Sequence, residues 1–349
     1  MPRPPSQYLL ARRLNLSGAT VSRALANHPA LSTETRARVQ ALADELGYRG
    51  TAARSVRRAA NAPTLKLGVL LGEPLVPADH LALPRILEGI RSRAQLDHAE
   101  IDLLPFAPGE TTPLAGRRRL FGHLRAAGWR GALLLYPFPE ATVSMLADKL
   151  SVVSVLHECA DERIDTIDTD HGAIRVLVAR LAALGHRRIG FATWAYPAGG
   201  LWASRRFAAF AEALFARGLP LDPARVCNVG PASITCAEPA ALADAVRTIT
   251  RRDGVTAWVC AADHQAYQLI ADLTASGLRV PVDVSVTGFD GQPVPPGLPA
   301  LTTVSVPNAD IGASAAASLV NRLLQPSSQR RLTLVTPRLV EGATTASPR

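Results

Sequence analysis

A chain of 349 residues, 48% of them hydrophobic, is too long for one ordinary core and apolar enough to build two or three. Its net charge of +9 is unevenly placed: residues 1–62 hold ten arginines against three acids, a net +7, which leaves +2 for the other 287 residues. The absence of any run of eighteen apolar residues argues against a membrane span, and the start MPRPPSQYLL lacks the apolar core and cleavage site of a secretory signal. Cys159, Cys227, Cys236 and Cys260 have no C-x-x-C or zinc-finger spacing, so reduced thiols in a cytoplasm are expected.

The first elements carry the basic charge. LLARRL (9–14) places Leu10 and Leu14 on one helical face, and Asn15 follows, a residue type that tolerates the left-handed turn between two helices. In LSGATVSRALAN (16–27), Ser17 is placed to cap a second helix, and Val21 and Leu25 give it an apolar stripe. Gly18, Ala19, Ser22 and Arg23 fall on the opposite side. This reads as helix-turn-helix, whose second helix enters a DNA major groove. A third helix is predicted from Ser32 to Leu46, ended by Gly47, which completes a headpiece over residues 1–49. Residues 50–63 are rich in alanine and arginine with almost nothing to bury, and read as a hinge that orders when phosphates neutralise its arginines. A positive charge confined to one small module is the footprint of a phosphate-binding domain.

From Leu65 onward apolar strand-like runs alternate with helical stretches. The runs are 65–71, 99–106, 131–137, 150–156, 187–194, 224–230, 257–263 and 284–290, with helices such as 83–96, 173–185, 207–218 and 265–277 between them. Such alternation implies doubly wound parallel sheets covered on both faces, and eight strands suit two lobes better than one sheet. Ligands of these folds bind beyond the carboxyl ends of the strands, here near 71–77, Tyr136, His157, Trp194, Asp263 and Asp290. GEPLVP (72–77) is not a dinucleotide fingerprint, and no phosphate loop, H-E-x-x-H or nucleophile elbow occurs, so neither a cofactor nor an enzyme is expected.

These residues together resemble the lactose/galactose-repressor family of bacterial transcription factors along nearly the whole chain. ATVSRAL (19–25), HPALSTETRARV (28–39), LGY (46–48) and ARS (53–55) carry the likeness in the head; LGHRRIGF (184–191), GLRVPVDVSVTGFD (277–290) and LTTVSVPNADIG (301–312) carry it in the body. The resemblance implies an all-α helix-turn-helix headpiece and an α/β two-lobed, periplasmic-binding-protein-like body spanning 64–342. Lobe 1 would be about 64–164 with 294–325, lobe 2 about 165–291 with 328–342, and 343–349 a tail. It implies a homodimer on a pseudo-palindromic double-stranded DNA operator, with a sugar or related metabolite as effector between the lobes. Gly18, Ala19 and Arg23 take its base-reading positions, Ser17, Thr20 and Ser22 its phosphate contacts, and Asn27 and Arg54 further DNA contacts. Val56 stands where the family has a leucine wedge. Because Gly18 and Ala19 are too short for bidentate hydrogen bonds, base discrimination should fall on Arg23.

For the effector, Arg206 matches the family's R-x-x-G-F arginine, Asp290 its G-F-D carboxylate and Asp263 the second residue of its Asn-Asp pair. His80, Leu83, Tyr136, His157, Asp170 and Trp194 complete the expected cleft. The chain departs from the family at Leu83, usually an aromatic, and at Ala262, usually an asparagine. The reading is therefore a cytoplasmic transcriptional regulator of repressor type, without a membrane partner. A two-lobed solute-binding protein without DNA function and a constitutive regulator with a degenerate cleft are the alternatives.

Overall fold

The computed structural model describes residues 7–25, 33–46, 65–72, 81–111, 114–196, 201–230, 233–326 and 328–349. The chain divides into two compact units, Met1–Thr64 and Leu65–Arg349.

In the smaller unit the described helices are α1 (Gln7–Leu14), α2 (Gly18–Leu25) and α3 (Thr33–Glu45). Asn15 takes a φ of 54° between the first two, the left-handed turn its short polar side chain tolerates. Ser17 Oγ accepts the Thr20 backbone N–H at 3.1 Å and so caps α2. Leu10 and Ala11, Val21 and Ala24, and Val39 and Ala43 form the buried core, one pair from each helix. Ser32 and Gly47, the expected cap and stop of the third helix, lie outside the described residues, as does the hinge.

The larger unit begins β1 (Leu65–Leu71), α4 (Leu83–Leu96), β2 (Ala99–Pro105), α5 (Leu114–Ala127), β3 (Gly131–Leu135), α6 (Glu140–Ala147), β4 (Ser151–Val155), β5 (Asp165–Thr169). It continues α7 (Ile174–Ala183), β6 (Ile189–Ala192), α8 (Leu201–Phe215), β7 (Val226–Cys227), α9 (Pro239–Asp253), β8 (Ala257–Cys260), α10 (Asp263–Ala275), β9 (Ser285–Thr287). It ends β10 (Thr303–Ser305), α11 (Asn308–Leu324), β11 (Leu332–Val335), β12 (Arg338–Val340). Among the described residues one parallel sheet has the order β11-β5-β4-β3-β1-β2 and a second the order β7-β6-β8-β9, while β10 and β12 pair antiparallel. β3 is buried throughout, as a central strand covered on both faces must be.

Each sheet is closed by helices with matching apolar faces. α4 turns Ile86, Leu87 and Ile90 onto the first sheet, where they meet Ile311, Ala315 and Leu319 of α11. The two helices touch at Gly89 and Gly312: a Cβ on Gly89 would lie 1.8 Å from the Ala309 carbonyl oxygen, and one on Gly312 would lie 2.0 Å from that of Ile86. Only glycine allows backbones so close. The second sheet is covered on one face by Trp258, Val246 and Ile270 with their neighbours, and on the other by Phe191, Phe210 and Phe289 with theirs.

The chain passes between the two sheets three times, at 170–173, 306–307 and 336–337. Four boundaries differ from those the resemblance implies. Residues 165–169 and 332–335 belong to the first sheet, because β5 pairs with β4 and β11 with β5. Residues 302–305 join the second through bridges Thr287–Thr302 and Asp290–Ser305. Residues 343–349 are not a separate tail: the Val286 N–H donates to the Thr344 carbonyl at 2.9 Å, and the Thr302 N–H donates to Thr344 Oγ1 at 2.9 Å. The polar sequence DTIDT explains why β5 escapes a search for apolar runs: it is wholly buried, with Asp165 held by Arg322 and by the Ser318 hydroxyl.

Candidate functional site

The carboxyl ends of β3, β4 and β5 on one side and of β8 and β9 on the other line a cavity of about 490 Å³, a volume suited to a small molecule. α8 contributes Trp202, Arg205 and Arg206 to its wall, and the first turn of α4 contributes Arg85.

Arg206 organises the second-sheet side. Its guanidinium lies 3.7 Å from the Phe289 ring centroid and 4.8 Å from that of Trp202. One nitrogen donates to the Ala261 carbonyl at 2.6 Å, another stands 3.1 Å from Asp290 Oδ1, and Nε donates to His171 Nδ1 at 3.3 Å. A buried cation with this many acceptors and two ring faces is held rigid. Since His171 Nδ1 accepts, its proton sits on Nε2, which faces Asp168 at 3.3 Å. Asp168 also meets Arg205 at 3.3 Å, and Arg205 pairs in turn with Glu158, which Arg330 holds from the other side at 2.7 Å. Arg205 thus ties the second-sheet side to the ends of β4 and β5.

Burial pushes the imidazoles of His157, His171 and His264 below their ordinary value, that of His264 to about 4, so these walls carry neutral rings at pH 7. Two buried polar atoms of wall residues have no hydrogen-bond partner among the described residues: Thr169 Oγ1 and His264 Nδ1. Such atoms cost free energy unless something satisfies them, and a hydroxylated ligand could.

Tyr136, His157, Arg206 and Asp290 therefore stand together on the wall, as the sequence leads one to expect. Leu83, Asp170, Trp194 and Asp263, also expected in the cleft, do not line it. Leu83 packs against the first-sheet core. Asp170 caps the turn His171–Ala173 by accepting the Gly172 N–H at 2.8 Å. Trp194 packs on the second-sheet core, its ring edge-on to His264 at 4.8 Å. Asp263 is buried beneath the wall, accepting from the Thr303 hydroxyl at 2.6 Å and the Gln292 N–H at 2.7 Å. Burial raises its carboxyl against those donors, so it fastens the loop after β9 rather than reaching the cavity. His80 lies outside the described residues. Sequence reasoning missed Arg85, Asp168, His171, Trp202 and Arg205. The doublet Arg205–Arg206 on an apolar helix and the Asp168–His171 spacing are signals that could have raised three of them.

On the headpiece, Gly18, Ala19 and Arg23 are exposed on α2, and a Cβ on Gly18 would meet nothing within 4 Å. Ser17 and Thr20 hydroxyls lie 2.8 Å apart beside them. The Ser22 side chain, Asn27, Arg54 and Val56 lie outside the described residues. No helix of the described residues is long and apolar enough to cross a membrane, and among them no cluster of three or more metal-ligating side chains occurs.

Two family models match: bacterial regulatory proteins, lacI family, over residues 10–50, and a periplasmic binding protein-like domain over residues 178–345. An uncharacterized HTH-type transcriptional regulator in the aml 5′ region of Streptomyces limosus is 31% identical over 349 residues, 97% of this chain and 93% of that one. The chain belongs to the lacI family of bacterial regulatory proteins. It is a transcriptional regulator with a helix-turn-helix headpiece and a two-sheet α/β body. Among solved lacI-family folds, a CelR–cellobiose complex superposes with a TM-score of 0.64 at 24% identity, covering 97% of this chain and 99% of that one. A lac repressor dimer bound to operator and the anti-inducer ONPF superposes at 0.60 with 22% identity, covering 99% and 100%.

Proposed function

We propose that this lacI-family regulator is a cytoplasmic repressor that grips a pseudo-palindromic operator as a dimer and that a small hydroxylated effector, held in the cavity between its sheets, sets that grip. The observation that carries the reading is the cavity itself: a volume beyond strand ends, walled by Arg206 and Asp290, on a chain whose basic charge is concentrated in its first 62 residues. Two structural neighbours lend it support, one bound to cellobiose and the other a dimer on operator. Arg206 and Asp290 would supply a donor and an acceptor to adjacent hydroxyls, and Trp202 and Tyr136 the apolar surface for a ring face. On α2, Arg23 would read a guanine edge, Gly18 and Ala19 would let the helix sit deep, and Ser17, Thr20 and Ser22 would meet phosphates, with Asn27, Arg54 and Val56 as further contacts.

The mechanism is linkage. An effector that prefers one spacing of the two sheets shifts the population of that arrangement, and operator affinity follows by the differential binding energy. Selection of genomic fragments by the full chain, read out by fluorescence anisotropy across a salt series, tests the reading. A palindromic site bound at least a thousandfold more tightly than bulk DNA is expected; equal, salt-dependent retention of all fragments would overturn it.

A further inference from the structure

Charge accounting in the cavity goes beyond the choice of a hydroxylated effector, although it rests on that reading. Three acids line the wall, and three arginines match them: Arg205 and Arg330 stand on Glu158 and Asp168, with Arg205 shared between the two, and Arg206 on Asp290. The wall histidines are neutral, since burial lowers all three. Two further arginines of the same wall, Arg85 and Arg338, both exposed to solvent, make no side-chain ion pair or hydrogen bond among the described residues. They come from opposite ends of the body sequence, one on the first turn of α4 and the other on β12.

The setting of Arg85 adds to the imbalance. α4 starts at Ala82, itself a wall residue, without a side-chain cap and without an acid in its first turn. The orphan N–H groups and positive pole of a fourteen-residue helix therefore open beside a cation, an arrangement that favours an anion. A neutral ligand would leave both guanidiniums to water alone, whereas an anionic group would pair with them, the planar fork of arginine being matched to carboxylate and phosphate alike.

We infer that the effector of this regulator is an acidic carbohydrate, its sugar body on the Arg206–Asp290 side and its carboxylate or phosphate between Arg85 and Arg338. The surplus of two positive charges carries the assignment, and the unpartnered Thr169 hydroxyl and His264 Nδ1 mark where hydroxyls of the body would be met.

Thermal-shift and calorimetric titration of the full chain at constant ionic strength tests it, with probes in matched pairs: glucose, glucuronate and glucose 6-phosphate; galactose, galacturonate and galactose 1-phosphate. At least one acidic member is expected to bind tenfold or more tightly than its neutral parent, the scale of one charge-assisted hydrogen bond, and the better arm tells carboxylate from phosphate. Arg85→Gln and Arg338→Gln should each erase most of that preference, while Arg85→Lys, which keeps the charge, should retain part of it and guards against misfolding as the cause. Neutral sugars binding as tightly as acidic ones would overturn the acidic assignment and leave the effector cleft standing. An acidic preference that survives both glutamine variants would overturn the role of the two arginines. No binding by any member of either set would take down the assignment and the cleft reading together.

Discussion

In the headpiece, the residues proposed to meet DNA on α2 lie within seven positions of one another, whereas the cavity wall is gathered from segments as distant as Arg85 and Arg338. The exposed arginine of α2 is presented by a helix whose own needs are met locally: Ser17 caps it, Asn15 turns the chain into it, and Val21 and Ala24 anchor it. The wall arginines differ. Arg206 is buried, and its position depends on Phe289, Ala261, Asp290 and His171 from three other segments. Recognition by a single helix can change one side chain at a time; recognition by an assembled wall cannot, because each member positions another.

That contrast orders the expected effects of mutation. Arg206→Ala removes a buried cation together with its ion pair, its carbonyl hydrogen bond and its ring contacts, so it should cost about 3 kcal/mol of stability in urea unfolding. Arg23→Ala, on the exposed face of α2, should leave that unfolding curve in place yet lose about 1–3 kcal/mol on the cognate operator and relax its sequence preference. If Arg23→Ala destabilised the fold or Arg206→Ala spared it, the contrast between a local and an assembled site would break.

A pH titration sharpens it. Burial depresses the pKa of His264 to about 4, and lowers those of His157 and His171, so the folded body resists protons that the unfolded chain accepts near 6.5. Stability should hold above pH 7 and fall as pH drops from about 6.5 toward 4, by on the order of 1–3 kcal/mol from His264 alone. His264→Gln should flatten that slope, as followed by melting temperature. The smallest effect is Ser17→Ala, expected to cost the headpiece about 1 kcal/mol through loss of the α2 cap and to leave the cavity's ligand affinity unchanged.

The same contrast sets what could be read from the sequence. Helix-turn-helix signals are short-range: a cap, a turn residue and an apolar pair at helical spacing suffice, and Ser17, Asn15 and Val21 stand as expected. Apolar runs likewise locate the central strands β1, β3 and β8. They fail at β5, because Asp165 is buried through partners more than 140 residues away in sequence, and Asp168, a wall residue, was lost with it. Trp194 and Asp263 were placed by their position at strand ends, yet a strand end has two sides: Trp194 turns into the second-sheet core and Asp263 beneath the wall. No spacing rule reveals that choice, since long-range packing makes it. Arg85 gave no local signal, its meaning arising only when the sheets come together.

Reciprocal linkage is the most direct measurement of the central claim. Operator affinity of the full chain is titrated at increasing concentrations of whichever matched-pair sugar binds, and that sugar's affinity is then measured on free and on operator-bound protein. The account predicts the same factor in both directions, between about fivefold and 150-fold. Equal operator affinity with the cavity saturated and empty would contradict it.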